Sequence, residues 1–207
     1  RKYVTNETVT EGLTWLKEKQ AMISIHCFSL ETLTTWIQEN RPLIDRHPAA
    51  FCAIETALLD LFAKEKRQSV EELLGLSAPK RTYTYTAVLG DSSKDKFKIL
   101  LHRYLALGFQ DFKVKANGNF EQDHNKLQLL HQICKQKQVS NYRVRLDANN
   151  FWKGQNKLAI DYLGRLKSML FAIEEPIAPK EYNSLAQIST ALELPIILDE
   201  SLCNLQD

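Results

Sequence analysis

The sequence predicts an α/β chain built on a parallel sheet, and three observations carry the prediction. Beyond a helical first third, apolar strand-like segments alternate with amphipathic helical ones. The strand centres, near residues 86, 113, 145, 173 and 198, recur every 25 to 32 residues. Each interval is long enough for a crossover helix, which is what parallel neighbours require. Five strands and four helices at that period fit a doubly wound sheet or a (β/α) barrel of the TIM type. Gly90 and Gly118 stand alone, so no glycine-rich phosphate loop follows the first strand. That removes the main sign of a nucleotide-binding doubly wound sheet and favours the barrel.

The elements follow in order. ETVTEGLTWLKEK and SLETLTTWIQENRPLI each begin with Ser or Thr, carry acids in the first turn and repeat apolar residues at helical spacing. AAFCAIETALLDLFAKEK is apolar over a wide arc, which predicts a buried helix. The texture changes at Ser77-Ala78-Pro79, so residues 1–78 are expected to form a helical unit and residues 79–207 the β/α unit. The strands are TYTYTAVLG, FQDFKVKA, YRVRLDAN, LFAIEEP and LPIILDES; the helices between them end near Gly108, Lys137, Met169 and Leu192.

Composition excludes several classes. With 207 residues, 44% hydrophobic and 25% charged, the chain can bury a core, and a formal charge of +2 argues against nucleic acid or an acidic membrane as partner. The basic clusters at Lys64, Lys66, Arg67 and at Lys135, Lys137 read as solvated helix faces. No apolar run spans a membrane, RKYVTNETVT lacks the apolar centre of a signal peptide, and a cytoplasmic location is the matching expectation. Cys27, Cys52, Cys134 and Cys203 are scattered without a CxxC pair, as expected of reduced thiols. His124, His131 and Cys134 lie at helical spacing, but the amphipathic pattern around them already explains that helix, so no metal is assigned there.

The functional signal is where the polar residues fall. The second strand ends in Lys113 and Lys115, the third in Asp147 and Asn149, the fourth in Glu174 and Glu175, and the fifth in Asp199 and Glu200. In a (β/α) barrel the C-terminal ends of the strands form the catalytic rim. One acidic strand end is usually a helix cap or turn former; three in succession call for another explanation. Asp147, Glu174 and Asp199, expected at nearly matched heights, would repel one another unless a divalent cation sat between them, and hard oxygen ligands select Mg²⁺ or Mn²⁺. Beside them Lys115 can serve as an amine base. A cation, the companion Lys113 and partial burial each disfavour its ammonium form. The chemistry that follows is removal of a proton α to a carboxylate, with the enediolate charge met by the cation. The competing structural reading places the lysines on a solvated edge strand.

The segments FKVK, RLDAN, IEEP and LDES, separated by 32, 27 and 25 residues from Lys115 to Asp147, Glu174 and Asp199, resemble the KxK, DxN, ExP and DE motifs of the enolase superfamily. AAFCAIETALLDLFAK resembles the helix that opens the barrel in its muconate-lactonizing-enzyme subgroup. The resemblance implies a modified TIM barrel behind an α+β capping domain, of which the helical part is present. It implies Asp147, Glu174 and Asp199 as Mg²⁺ ligands, Lys115 as acid/base, Lys113 as its assistant toward the substrate carboxylate, and Asn149 and Glu200 as supporting groups. Glu175 would be an outer or solvent-facing group. The family barrel has eight strands and a second catalytic lysine past the DE motif, beyond Asp207; five strands cannot close a barrel, so the expectation is a piece of a longer polypeptide.

The implied enzyme is a lyase or an isomerase acting on a small-molecule carboxylate, with homo-oligomerisation left open. Within the subgroup the choice lies between o-succinylbenzoate synthase, a dehydratase of menaquinone synthesis, and a dipeptide epimerase or muconate cycloisomerase. The synthase is preferred because its members diverge most. A non-catalytic truncated barrel is the alternative of another class; three carboxylates and two lysines crowded together without work to do would only destabilise it.

Overall fold

The computed structural model describes residues 7–77 and 82–202, which divide between two compact units meeting in the chain at Thr82 and Tyr83. The predicted boundary at 78/79 lies outside the described residues, as does Cys203.

The first unit is helical. Helix α1 (Val9–His26) starts with a reciprocal cap in which Thr8 accepts the N–H of Glu11 and the Glu11 carboxylate accepts that of Thr8. The segment from Ser29 to Ile44, predicted as one helix, forms α2 (Leu30–Glu39) and α3 (Arg41–Ile44). Pro42 causes the break, because it has no N–H and fits only the first turn of a new helix. Helix α4 (Pro48–Glu65) has no local side-chain cap; the buried Glu7 carboxylate accepts the N–H groups of Ala49 and Ala50 instead. Helix α5 (Val70–Leu73) closes the unit around Trp15, Leu33, Trp36, Phe51 and Phe62. Helix α4 buries Ala50, Phe51, Phe62 and Ala63 but exposes Cys52 and Leu61, a narrower stripe than its apolar arc predicts.

The second unit is a five-stranded, all-parallel sheet in the order β1 to β5: β1 (Thr86–Leu89), β2 (Asp111–Lys115), β3 (Arg143–Asp147), β4 (Ala172–Glu174) and β5 (Ile196–Ile197). The crossovers are α6 (Lys94–Ala106), α7 (Phe120–Gln136), α8 (Asn156–Gly164) followed by a 3₁₀ turn (Lys167–Met169), and α9 (Tyr182–Leu192). Alternation sends Ala87, Leu89, Phe112, Val114, Val144, Leu146 and Ile173 into one core with Phe97, Leu101, Leu127, Leu130, Leu163 and Ile188 of the helices. β1 and β5 are shorter than their apolar segments, because only Thr86–Leu89 and Ile196–Ile197 find ladder partners.

The His124, His131 and Cys134 face of α7 is structural. His131 contacts the Tyr142 hydroxyl through Nδ1 and the Met169 carbonyl through Nε2, His124 stacks on Phe120, and Cys134 is fully buried.

Candidate active site

The residues that alternate with the core positions stand on the opposite face of the sheet: Lys113 and Lys115 on β2, Arg145 and Asp147 on β3, Glu174 on β4. The register sets Lys115 level with Asp147 and Asp147 level with Glu174, a row across three strand ends. Lys115 Nζ lies 2.6 Å from Asp147 Oδ2 and 2.7 Å from Asn149 Oδ1. Lys113 Nζ donates to Glu174 Oε1 at 2.8 Å and is 3.3 Å from Asp147 Oδ2, while Arg145 Nε stands 3.1 Å from Glu174 Oε2. β2 pairs on both sides, so the edge-strand reading of the two lysines is excluded.

Asp147 and Glu174 are almost fully buried. Two carboxylates withdrawn from water need compensation, and Lys113, Lys115 and Arg145 supply it. Burial works against the Lys113 ammonium, but the hydrogen bond and charge of Glu174, joined by the charge of Asp147, outweigh it and hold the group above its ordinary lysine value. Lys113 thus pairs with both buried carboxylates. Asn149, in the left-handed region at φ 44°, turns its N–H onto Asp147 Oδ1 and its side-chain oxygen onto Lys115, so one residue orients both partners.

The fifth strand end differs from expectation. β5 sets Ile197, not Asp199, level with Glu174, which leaves Asp199 two residues beyond the row with its side chain exposed. Two residues along a strand are roughly 6.6 Å. Among the described residues no three His, Cys, Asp or Glu side chains gather closely enough to hold a metal ion. The structure thus brings together Lys113, Lys115, Asp147, Asn149 and Glu174, and keeps Asp199 at the rim above them. Glu200 is part-buried; desolvation raises its carboxyl against its backbone hydrogen bond, and the charges of Asp199, Glu175 and Asp147 push the same way as burial, which places it in the field of the site.

Glu175 is not solvent-facing. Its carboxylate is fully buried and accepts the N–H groups of Asp199 and Ser201, the Ser201 hydroxyl and the Asn150 amide.

Three further groups escaped the sequence reading. Arg145 stands two residues before Asp147, so alternation in RLDAN is enough to put it on the same face. Asp123, fully buried in the first turn of α7, accepts the N–H groups of Asn117 and Gly118, the Tyr162 hydroxyl and the Lys126 ammonium, and so fixes the loop that leaves Lys115. Asn150 donates to the Ile177 carbonyl and to Glu175, tying the loop after β3 to that after β4. Only the three-dimensional path of the loops distinguishes Asp123 and Asn150 from ordinary helix-cap or turn residues.

The donor set suits a hard cation. Asp147 and Glu174 offer oxygens level on neighbouring strands, Asp199 adds a third carboxylate at the next strand end, and no sulfur or imidazole intrudes among the described residues of that face. Asp147 and Glu174 are the two carboxylates that stand level and could share Mg²⁺; Asp199, the third expected ligand, stands off their row.

With this geometry in view, the family described as enolase C-terminal domain-like matches residues 96–207, more than half of the chain. The chain belongs to that family. Its sheet is part of the enolase-type (β/α) barrel, and the strand-end row is that barrel's rim. Among similar proteins, the L-Lys-D/L-Arg epimerase of Methylococcus capsulatus is 30% identical over 84% of this chain and 47% of its own length. The N-succinyl-L-Arg/Lys racemase of Bacillus cereus is 27% identical over 75% of this chain and 41% of its own. The solved dipeptide epimerase of Methylococcus capsulatus, complexed with Mg and the dipeptide L-Arg-D-Lys, superposes with a TM-score of 0.70 at 27% identity, covering 98% of this chain and 55% of that one. The chain spans about half the length of the relatives it matches.

Proposed function

We propose that this chain carries the acid/base lysine and cation ligands of an Mg²⁺-dependent isomerase that removes the proton α to the carboxylate of an amino-acid or dipeptide derivative. The observation that carries the reading is the row Lys115–Asp147–Glu174 with Lys113 beneath it, in which Lys115 touches Asp147 and Lys113 touches Glu174. Bound there, Mg²⁺ would supply positive charge for the two oxygens of the enediolate. Lys115, having passed its ammonium proton to solvent and parted from Asp147 and Asn149, takes the α-proton as a neutral amine and becomes the ammonium again. Asn149, bonded to Lys115 Nζ before they part, sets where the amine stands, and Lys113 offsets the carboxylate charge.

The relatives shift the choice of reaction. The o-succinylbenzoate synthase expected from the sequence gains no support from them. The racemase and the Methylococcus capsulatus epimerase sequence and structure they include point, by their names, to amino-acid and dipeptide substrates, and these back the epimerase reading. Mn²⁺ remains a chemical equivalent for the same oxygens.

The test is proton exchange followed by NMR in D₂O with Mg²⁺, using dipeptides, N-succinyl amino acids and the succinylbenzoate precursor. The expected result is α-deuteration of an amino-acid derivative, abolished in Lys115→Ala. Exchange that persists in Lys115→Ala overturns the base assignment, and dehydration of the precursor alone restores the synthase. No exchange with any of them, together with a melting temperature indifferent to Mg²⁺, favours the non-catalytic barrel.

A further inference from the structure

Strand β4 ends at Glu174, and simple alternation would send the next side chain among the helices with Ile173. Instead Glu175 takes φ 42°, a left-handed conformation that costs a non-glycine residue roughly 1–2 kcal/mol. The turn carries its carboxylate sideways beneath the start of the β5 loop. There Oε1 accepts the N–H of Asp199 at 2.7 Å and that of Ser201 at 2.8 Å, while Oε2 accepts the Ser201 hydroxyl at 2.9 Å and the Asn150 amide at 3.2 Å. The backbone adds two bonds: Glu175 N–H to the Ile197 carbonyl, and Asn150 N–H to the Glu175 carbonyl at 2.7 Å. A fully buried carboxylate with four donors and no cation among them is a built feature, since each donor would otherwise be lost to solvent or left unpaired.

Asp199 is the one expected cation ligand that stands off the row, two residues past the last ladder pair of β5. No sheet hydrogen bond fixes its height. Among the described residues its backbone makes two hydrogen bonds, its N–H to Glu175 Oε1 at 2.7 Å and its carbonyl with the Leu202 N–H at 3.2 Å, and the shorter ties it to the end of β4.

We propose that Glu175 is a positioning residue for the cation site: by gripping the N–H groups of Asp199 and Ser201 it sets where the Asp199 carboxylate can meet Asp147 and Glu174. This rests on the reading of those three carboxylates as ligands. Consecutive residues then divide the work, Glu174 offering an oxygen to the cation and Glu175 holding the loop that brings the third ligand. What the position needs is an acceptor at Oε1, not a charge, because both backbone donors converge on that one atom.

The experiment is Mg²⁺ titration by calorimetry on the wild type, Glu175→Ala, Glu175→Asp, Glu175→Gln and Asp147→Asn, with amide hydrogen exchange at 199 and 201 measured without metal. Loss of a group that orients a ligand weakens metal binding about 10- to 100-fold. That loss is expected for Glu175→Ala and for Glu175→Asp, whose shorter side chain cannot span the gap, with faster exchange at both amides. Glu175→Gln keeps an oxygen for both backbone donors, while its amide can donate to the Ser201 hydroxyl and leaves Asn150 with the Ile177 carbonyl alone; it should bind Mg²⁺ within about threefold of wild type, a rescue that general destabilisation would not give. If Asp147→Asn weakens Mg²⁺ while folded Glu175→Ala or Glu175→Asp binds normally, the positioning role is overturned and the cation site stands. If the wild type binds no Mg²⁺, or Asp147→Asn matches it, the cation site itself falls, and the positioning role with it. Glu175→Asp and Glu175→Gln keep the test alive should Glu175→Ala not fold.

Discussion

Gly118→Ala probes how the loop after Lys115 is held. Gly118 sits at φ +79°, and a Cβ built there would lie 2.0 Å from Cζ of Phe151 and within 2.5 Å of both flanking ring carbons. The tip of the Phe151 ring therefore occupies the place a side chain would take, locking the loop after β2 to the loop after β3. Two contributions follow. The left-handed backbone costs alanine about 1 kcal/mol. The ring must also leave. Phe151 is 52% exposed, so about half of its surface, roughly 100 Å², is withdrawn from water, worth about 2 kcal/mol at 25 cal/mol per Å². Gly118→Ala should thus lower stability by about 3 kcal/mol.

A double-mutant cycle separates the two. In a Phe151→Ala background the steric part vanishes, and Gly118→Ala should cost only about 1 kcal/mol. Urea unfolding can be followed by Trp152, which is buried and packs edge-on to Phe151 at 5.3 Å, once Trp15 and Trp36 of the other unit are replaced by Phe. Equal costs in the two backgrounds would show that the ring does not rest on Gly118. A cost under about 0.5 kcal/mol in both would refute the left-handed strain as well.

Other consequences can be read in the same protein. Asp123→Ala leaves the Asn117 and Gly118 N–H groups, the Tyr162 hydroxyl and Lys126 short of a shared acceptor, and should lower the urea-unfolding stability by about 3 kcal/mol; a loss under about 1 kcal/mol would show that water replaces it freely. Glu174→Gln should weaken Mg²⁺ binding in a calorimetric titration, and unchanged affinity would move the ligand assignment elsewhere. In native protein at pH 8, Cys52 should react with a thiol reagent while Cys27 and Cys134 resist until unfolding, as peptide mapping can read. Burial pushes Cys134 up to about 11 from 9.0, so the folded state keeps a proton that the unfolded state loses. Stability should then fall as pH rises from 9 to 11, by about 3 kcal/mol, and denaturant midpoints of Cys134→Ala should lack that part of the slope; identical slopes refute it.

The strand-end row was readable in the sequence because two regularities act together. A crossover period of 25 to 32 residues brings residues distant in sequence to neighbouring strand ends, and alternation says which side chains share a face. Lys115, Asp147 and Glu174 obey both and stand level. Asp199 obeys the period but not the height, because pattern alone does not say where a ladder starts; β5 pairs through Ile196 and Ile197 only, and the polar end of LPIILDES runs on past it. Glu175 departs from the pattern for a related reason: alternation presumes extended backbone, and one left-handed residue after β4 cancels it. These two departures meet in one hydrogen bond, Asp199 N–H to Glu175. In the proposed cation site, a carboxylate set past the sheet's own register needs another anchor, and the buried Glu175 beside Glu174 offers one to the Asp199 N–H. On that proposal the second glutamate of IEEP helps assemble the site, even though its side chain never faces the lysines.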